Sequence, residues 1–66
     1  MEFKLKFKDI DEIRQLKEIY TIKDLLNELG QSSQTIVAKQ NGELAIEDSL
    51  INDGDEINLI QIIYGG

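Results

Sequence analysis

Two residues, Gly65 and Gly66, are where chemistry would happen in this chain. They follow directly on an apolar strand pattern, Glu56-Ile-Asn-Leu-Ile-Gln-Ile-Ile-Tyr64. Glycine loses more conformational entropy on ordering than any other residue and has no side chain to pack, so the pair adds little to a fold. It does supply a slim, flexible carboxyl terminus, suited to being threaded into another protein's active site. Nothing else in the sequence competes with it. No Gly-rich phosphate loop, nucleophile–base pair or catalytic carboxylate dyad stands out. Cysteine and histidine are both absent, which removes disulfides and the usual zinc and haem ligands. Asp53-Gly54-Asp55 lacks the twelve-residue ligand ladder and closing Glu of a calcium loop, so no metal site is expected.

The elements that would hold this terminus can be read from periodicity. The chain has 66 residues, 41% of them hydrophobic, enough for one small domain with a single core. Met1, Phe3, Leu5 and Phe7 alternate with Glu2, Lys4, Lys6 and Lys8, as in a strand with one buried and one wet face. Asp9-Ile10-Asp11-Glu12 reads as the turn, with a second strand from Ile13 to about Tyr20. Thr21 is placed as a helix N-cap, with Asp24 three residues later completing a capping box. Ile22, Leu25, Leu26 and Leu29 form one helical stripe, and Gly30 suits the left-handed residue that ends it. A helix of about two and a half turns must lie against a sheet to persist.

Gln31–Gln34 is a polar connector. A third strand is expected from Thr35 to Gln40, and Asn41-Gly42 is a strong hairpin signal leading to a fourth, Glu43–Ile46. Residues 47–55 form a crossover anchored by Leu50 and Ile51, with a turn at Asp53-Gly54. The last strand runs from Glu56 to about Ile63, giving an α+β fold of order ββαβββ. Adjacency favours two hairpins flanking a central last strand parallel to the first, in a mixed sheet with one helix on one face. The last strand is apolar on both faces, and only one can meet the helix. With the odd-numbered set inside, Val37, Ile60, Ile62 and Tyr64 form an apolar patch on the opposite face, a candidate partner-binding surface. Lys4, Lys6 and Lys8 form a basic row that is either solvated or a contact for acidic groups of a partner. Glu47, Asp48, Asp53, Asp55 and Glu56 read as a wet acidic rim.

The net charge of −6 disfavours nucleic acid. The opening residues alternate instead of forming a signal-peptide run, and no stretch is long and apolar enough for a membrane span. A cytoplasmic protein, monomeric when alone because its acidic charge opposes self-association, is the expectation.

The capped helix Thr21-Ile-Lys-Asp-Leu-Leu-Asn-Glu-Leu29, the Asn41-Gly42 hairpin, Asp53-Gly54-Asp55-Glu56-Ile57 and the closing Gly65-Gly66 together resemble the β-grasp fold of ubiquitin. Most closely they resemble the ThiS/MoaD-like sulfur carriers, and the resemblance covers essentially the whole chain: a β-grasp domain over 1–63 and a flexible diglycine tail over 64–66. It implies that the chain is not an enzyme and binds no cofactor of its own. An E1-like adenylating enzyme would use ATP to activate Gly66, and a sulfur donor of the cysteine desulfurase or rhodanese type would convert it to a thiocarboxylate. The sulfur would pass to an acceptor such as thiazole synthase, to molybdopterin or to tRNA. Gly65 would let the main chain pass a constriction that a Cβ would block. Residues Ile63 to Gly66, if extended, span about 13 Å. Two other outcomes stay open: conjugation of Gly66 to lysines, and a purely non-covalent interaction domain. Ubiquitin-type modifiers carry arginines before their glycines where this chain has Ile62-Ile63-Tyr64.

Overall fold

The computed structural model describes residues 1–62. Ile63, Tyr64, Gly65 and Gly66, and with them the expected tail over 64–66, lie outside the described residues. Five strands and one helix follow one another as β1 (Glu2–Phe7), β2 (Ile10–Gln15), α1 (Ile22–Glu28), β3 (Ile36–Gln40), β4 (Glu43–Ala45) and β5 (Glu56–Gln61). The sheet order is β2-β1-β5-β3-β4, with β1 and β5 parallel and the other neighbours antiparallel. This is the β-grasp arrangement, with the last strand central between two hairpins.

Helix α1 forms for the local reasons legible in its sequence. Thr21 Oγ1 accepts a hydrogen bond from the Asp24 N–H at 3.2 Å, and the Asp24 carboxylate accepts from the Thr21 N–H at 3.0 Å. The Ile22 and Lys23 N–H groups donate to the Ser49 and Glu47 carbonyls, so the donors of the first turn are satisfied. Gly30 ends the helix at φ +70°, a conformation that favours glycine. Ile22, Leu25 and Leu26 are buried against Phe3, Leu5, Phe7, Ile57 and Leu59 of the central strands, and Ile36, Ala38, Ile51 and Tyr20 close the core.

Several boundaries differ from the sequence expectation. The first turn is the residue pair Lys8–Asp9, so β2 begins at Ile10, not Ile13, and ends at Gln15. Lys8 reaches φ 54° to make this tight turn and lies 5.2 Å from the Phe7 ring centroid, so it is not part of the basic strand row. The early start puts Ile10 and Leu16 against the core, and residues 16–20 form a loop that delivers Tyr20 into it. Met1 does not join the buried row, and Leu50 is exposed, leaving Ile51 to anchor the crossover. Strand β3 starts at Ile36 and β4 stops at Ala45, each one residue inside its expected limit, and Ile63 of the last strand is outside the described residues.

Asp55 is not a wet rim residue. Its carboxylate accepts hydrogen bonds from Gln40 Nε2 (2.6 Å), Asn41 Nδ2 (2.9 Å) and the Asn52 N–H (2.8 Å), tying the second hairpin to the crossover. Burial pushes this carboxyl upward, but the three donors outweigh it and hold it below the usual range. Asp53 likewise accepts from the Glu2 N–H at 2.9 Å.

Candidate functional site

Strand β5 alternates its side chains between two environments. Ile57 and Leu59 enter the core beneath α1, Ile57 with no exposed surface at all. Glu56, Asn58 and Ile60 point to the face that no helix covers. There Ile60 is 42% exposed and sits directly opposite Val37 of β3. The Ile62 N–H donates to the Thr35 carbonyl at 2.8 Å, which carries the pairing one step beyond the end of β5. Ile62 is exposed as well. The structure thus brings Val37, Ile60 and Ile62 together beside the last described residue. Tyr64, Gly65 and Gly66 lie outside the described residues.

Charge frames this apolar row. Lys4 and Lys6 of β1 share its face, as does Lys39, the residue opposite Asn58. Lys4 Nζ lies 3.9 Å from Asp11 and Lys6 Nζ 4.0 Å from Glu56, and all four side chains remain largely in water. At those distances and exposures the pairs contribute little to stability and leave the lysines available.

Leu44 extends the face, and the sequence reading did not include it. Pairing places Leu44 opposite Lys39, so it shares the open face, where it is 75% exposed. The signal was present: an Asn-Gly turn fixes Gln40 opposite Glu43 and therefore Lys39 opposite Leu44. Around the same edge a shallow groove of about 440 Å³ runs between α1 and β4, lined by Ile22, Leu26, Ile36, Leu44 and Ile46 among others. A larger, polar hollow of about 680 Å³ lies over Gln40, Ser49 and Asp55, but these side chains already bond one another: Ser49 Oγ donates to Gln40 Oε1 at 2.7 Å. It is structural.

A second polar cluster joins the loop to the helix. The Tyr20 hydroxyl donates to Glu28, which also accepts from Lys17 Nζ at 2.7 Å. Burial and the Glu28 carboxylate push the Tyr20 hydroxyl well above the ordinary phenol range. Bonding to Lys17 and then to Tyr20 holds Glu28 low. A phenol so raised is not a proton-transfer group at neutral pH; it buttons the loop to α1. Among the described residues no group of three or more carboxylate, His or Cys side chains is placed to hold a metal ion. No helix among them is long and apolar enough to cross a membrane.

The fold has known relatives. A model of the ThiS family matches residues 4–66, nearly the whole chain and through both terminal glycines. The crystal structure of SAMP1 from Haloferax volcanii superimposes with a TM-score of 0.68 at 24% sequence identity, over 98% of this chain and 97% of that one. The likeness to SAMP1 is one of fold.

Proposed function

This chain belongs to the ThiS family, small ubiquitin-like proteins that generally act with E1-like enzymes and are not enzymes themselves, and from that membership we propose that it carries sulfur on Gly66. The Gly66 carboxylate, a poor electrophile, attacks the α-phosphorus of ATP bound to an E1-like partner, forming an acyl-adenylate and releasing pyrophosphate. A protein persulfide from a cysteine desulfurase or rhodanese-type donor attacks the acyl carbon, and AMP leaves. The resulting acyl disulfide is cleaved by a second thiol, which departs as a disulfide with the donor cysteine and leaves the thiocarboxylate. That sulfur is a better nucleophile than the oxygen it replaced, and it is delivered to an acceptor such as a thiazole synthase, a molybdopterin precursor or a tRNA base.

The observation that supports this reading is the family match running through Gly65-Gly66. The described domain contributes recognition. Val37, Ile60 and Ile62, with Tyr64 following, form the surface that docks on the activating enzyme, and Lys4, Lys6 and Lys39 steer it toward acidic groups there. An apolar row ending at Ile62 would fix the globule while the last four residues reach the nucleotide.

The test is intact mass after incubation with an E1-like activating enzyme, ATP and a sulfur source. Replacement of one oxygen by sulfur, lost when Gly66 is deleted, is the expected result. Ladders of larger conjugates would show a protein modifier instead. An unchanged mass with an enzyme that demonstrably adenylates a relative would leave a non-covalent interaction domain.

A further inference from the structure

Among the described residues no strand pairs with the outer side of β2, and the sequence of β2 is complementary to itself. We propose that two copies of this chain associate through β2, antiparallel and centred on Ile13, to form one continuous ten-stranded sheet. The Leu16 N–H donates to the Met1 carbonyl at 2.9 Å. By the alternation of an antiparallel ladder, Ile10, Glu12 and Arg14 then exchange bonds with β1, while the N–H and C=O groups of Asp11, Ile13 and Gln15 point outward. A two-fold axis at Ile13 makes 13 opposite 13 and 11 opposite 15 the hydrogen-bonded pairs. Both are built from outward-facing residues. The close, non-hydrogen-bonded pair between them sets Glu12 of each copy against Arg14 of the other.

Every other pairing in that register is also compatible. Ile10 meets Leu16 on the helix side, where each is already partly buried against its own core. Ile13 meets Ile13 on the open side, where it is 58% exposed in the single chain. Arg14 Nε lies 3.3 Å from its own-strand neighbour Glu12, and the Arg14 side chain keeps 31% of its surface exposed. A second carboxylate across the axis adds to that pair. Beyond the strand ends the sequence keeps the same antisymmetry, Lys8 and Asp9 on one side mirrored by Glu18 and Lys17 on the other.

Natural edges are often protected by charged side chains, lysine above all, by proline or by a bulge, and β2 carries Asp11, Glu12 and Arg14, of which Glu12 and Arg14 would pair across the axis instead of repelling. Residues 10–15 contain no lysine or proline and pair with β1 without a bulge, while the opposite edge, β4, is only three residues long. An edge contact is smaller than a standard interface, and each copy carries a net charge of −6, so the dimer is weak and forms at high local concentration. It leaves β5 free, because β1 stands between β2 and β5. The inference is independent of the sulfur-carrier reading.

Sedimentation equilibrium from micromolar to millimolar protein, with amide exchange read at both ends, tests it. The expected result is a monomer–dimer equilibrium in which the Asp11, Ile13 and Gln15 amides gain protection with concentration. Glu12→Arg should weaken association about tenfold, and the Glu12→Arg/Arg14→Glu pair should restore it to within about threefold. Ile13→Lys, at an exposed position, should abolish it while circular dichroism stays native. A monomer at every concentration, a dimer indifferent to Glu12→Arg, or protection confined to β4 or the open face would overturn the proposal.

Discussion

The two faces of β5 carry nearly equal apolarity and meet opposite fates. Ile57 and Leu59 are sealed under α1, whereas Ile60, and Ile62 just past the strand, are 42% and 38% exposed on the other face. A single seven-residue helix can cover only one side of a five-stranded sheet. No helix among the described residues covers the second apolar row. Isolated exposed apolar residues are ordinary, but a row in register with Val37 and extended by Leu44 is a patch, and patches of that kind mark surfaces other proteins cover. On the proposed function, stability and recognition fall to alternate residues along one stretch of chain.

The sharpest way to break that comparison is to truncate its buried half. Ile57→Ala should lower unfolding free energy by about 2–5 kcal/mol, the range for a large-to-small change in a packed core. A domain of this size holds only ~3–10 kcal/mol in all, so the variant will be near its unfolding threshold at room temperature. Urea denaturation followed by circular dichroism measures this. A loss below about 1 kcal/mol would mean that the core repacks freely and that the distinction between the faces is weaker than the burial suggests.

Asp55 lies between these extremes, a polar anchor that supports the sheet from its end. Its carboxyl is held low in the folded protein, so its contribution is present above the unfolded-state value of about 4 and disappears as pH falls through the lower folded value. Asp55→Asn offers one acceptor oxygen to three donors and should cost about 1–2 kcal/mol at neutral pH. More tellingly, it should flatten the acid limb of the stability profile below about pH 4. Thermal melts at a series of pH values compare the two limbs. An unchanged limb would place the acid sensitivity in other carboxylates.

How much of this was legible follows from which interactions are local. The helix could be read because its stripe, Thr21 cap, Asp24 box and Gly30 stop all act within a few residues. The central position of β5 could be read because both its faces are apolar, a pattern an edge strand rarely shows. The first turn could not. Asp9-Ile10-Asp11-Glu12 has the composition of a turn, yet the chain turns at Lys8–Asp9, with a lysine at positive φ, because that register delivers Ile10 and Leu16 to the core. Asp55 was misassigned for a related reason: its partners Gln40 and Asn41 lie 15 and 14 residues away, and no local pattern announces them. The patch itself was legible only in part, since Leu44 joins it through strand register and not through any period of its own segment.

The smallest expected effect on stability is also the most discriminating. Ile60→Ser changes a side chain that is 42% exposed and whose neighbours on the open face are Val37, Ile62 and polar groups. Only part of an Ile side chain's apolar burial is lost, and no cavity opens, so the unfolding free energy should fall by about 1 kcal/mol. If the open face docks the activating enzyme, the same substitution should raise the KM for adenylation about tenfold with kcat nearly unchanged, the pattern of binding lost equally from ground and transition states. Ile57→Ala should do the reverse, losing stability while the fraction that remains folded retains its KM. The pair of variants therefore separates the two faces by two measurements. An Ile60→Ser protein with that modest loss of stability and ordinary KM would strip the open face of its role and leave recognition to the residues beyond Ile62.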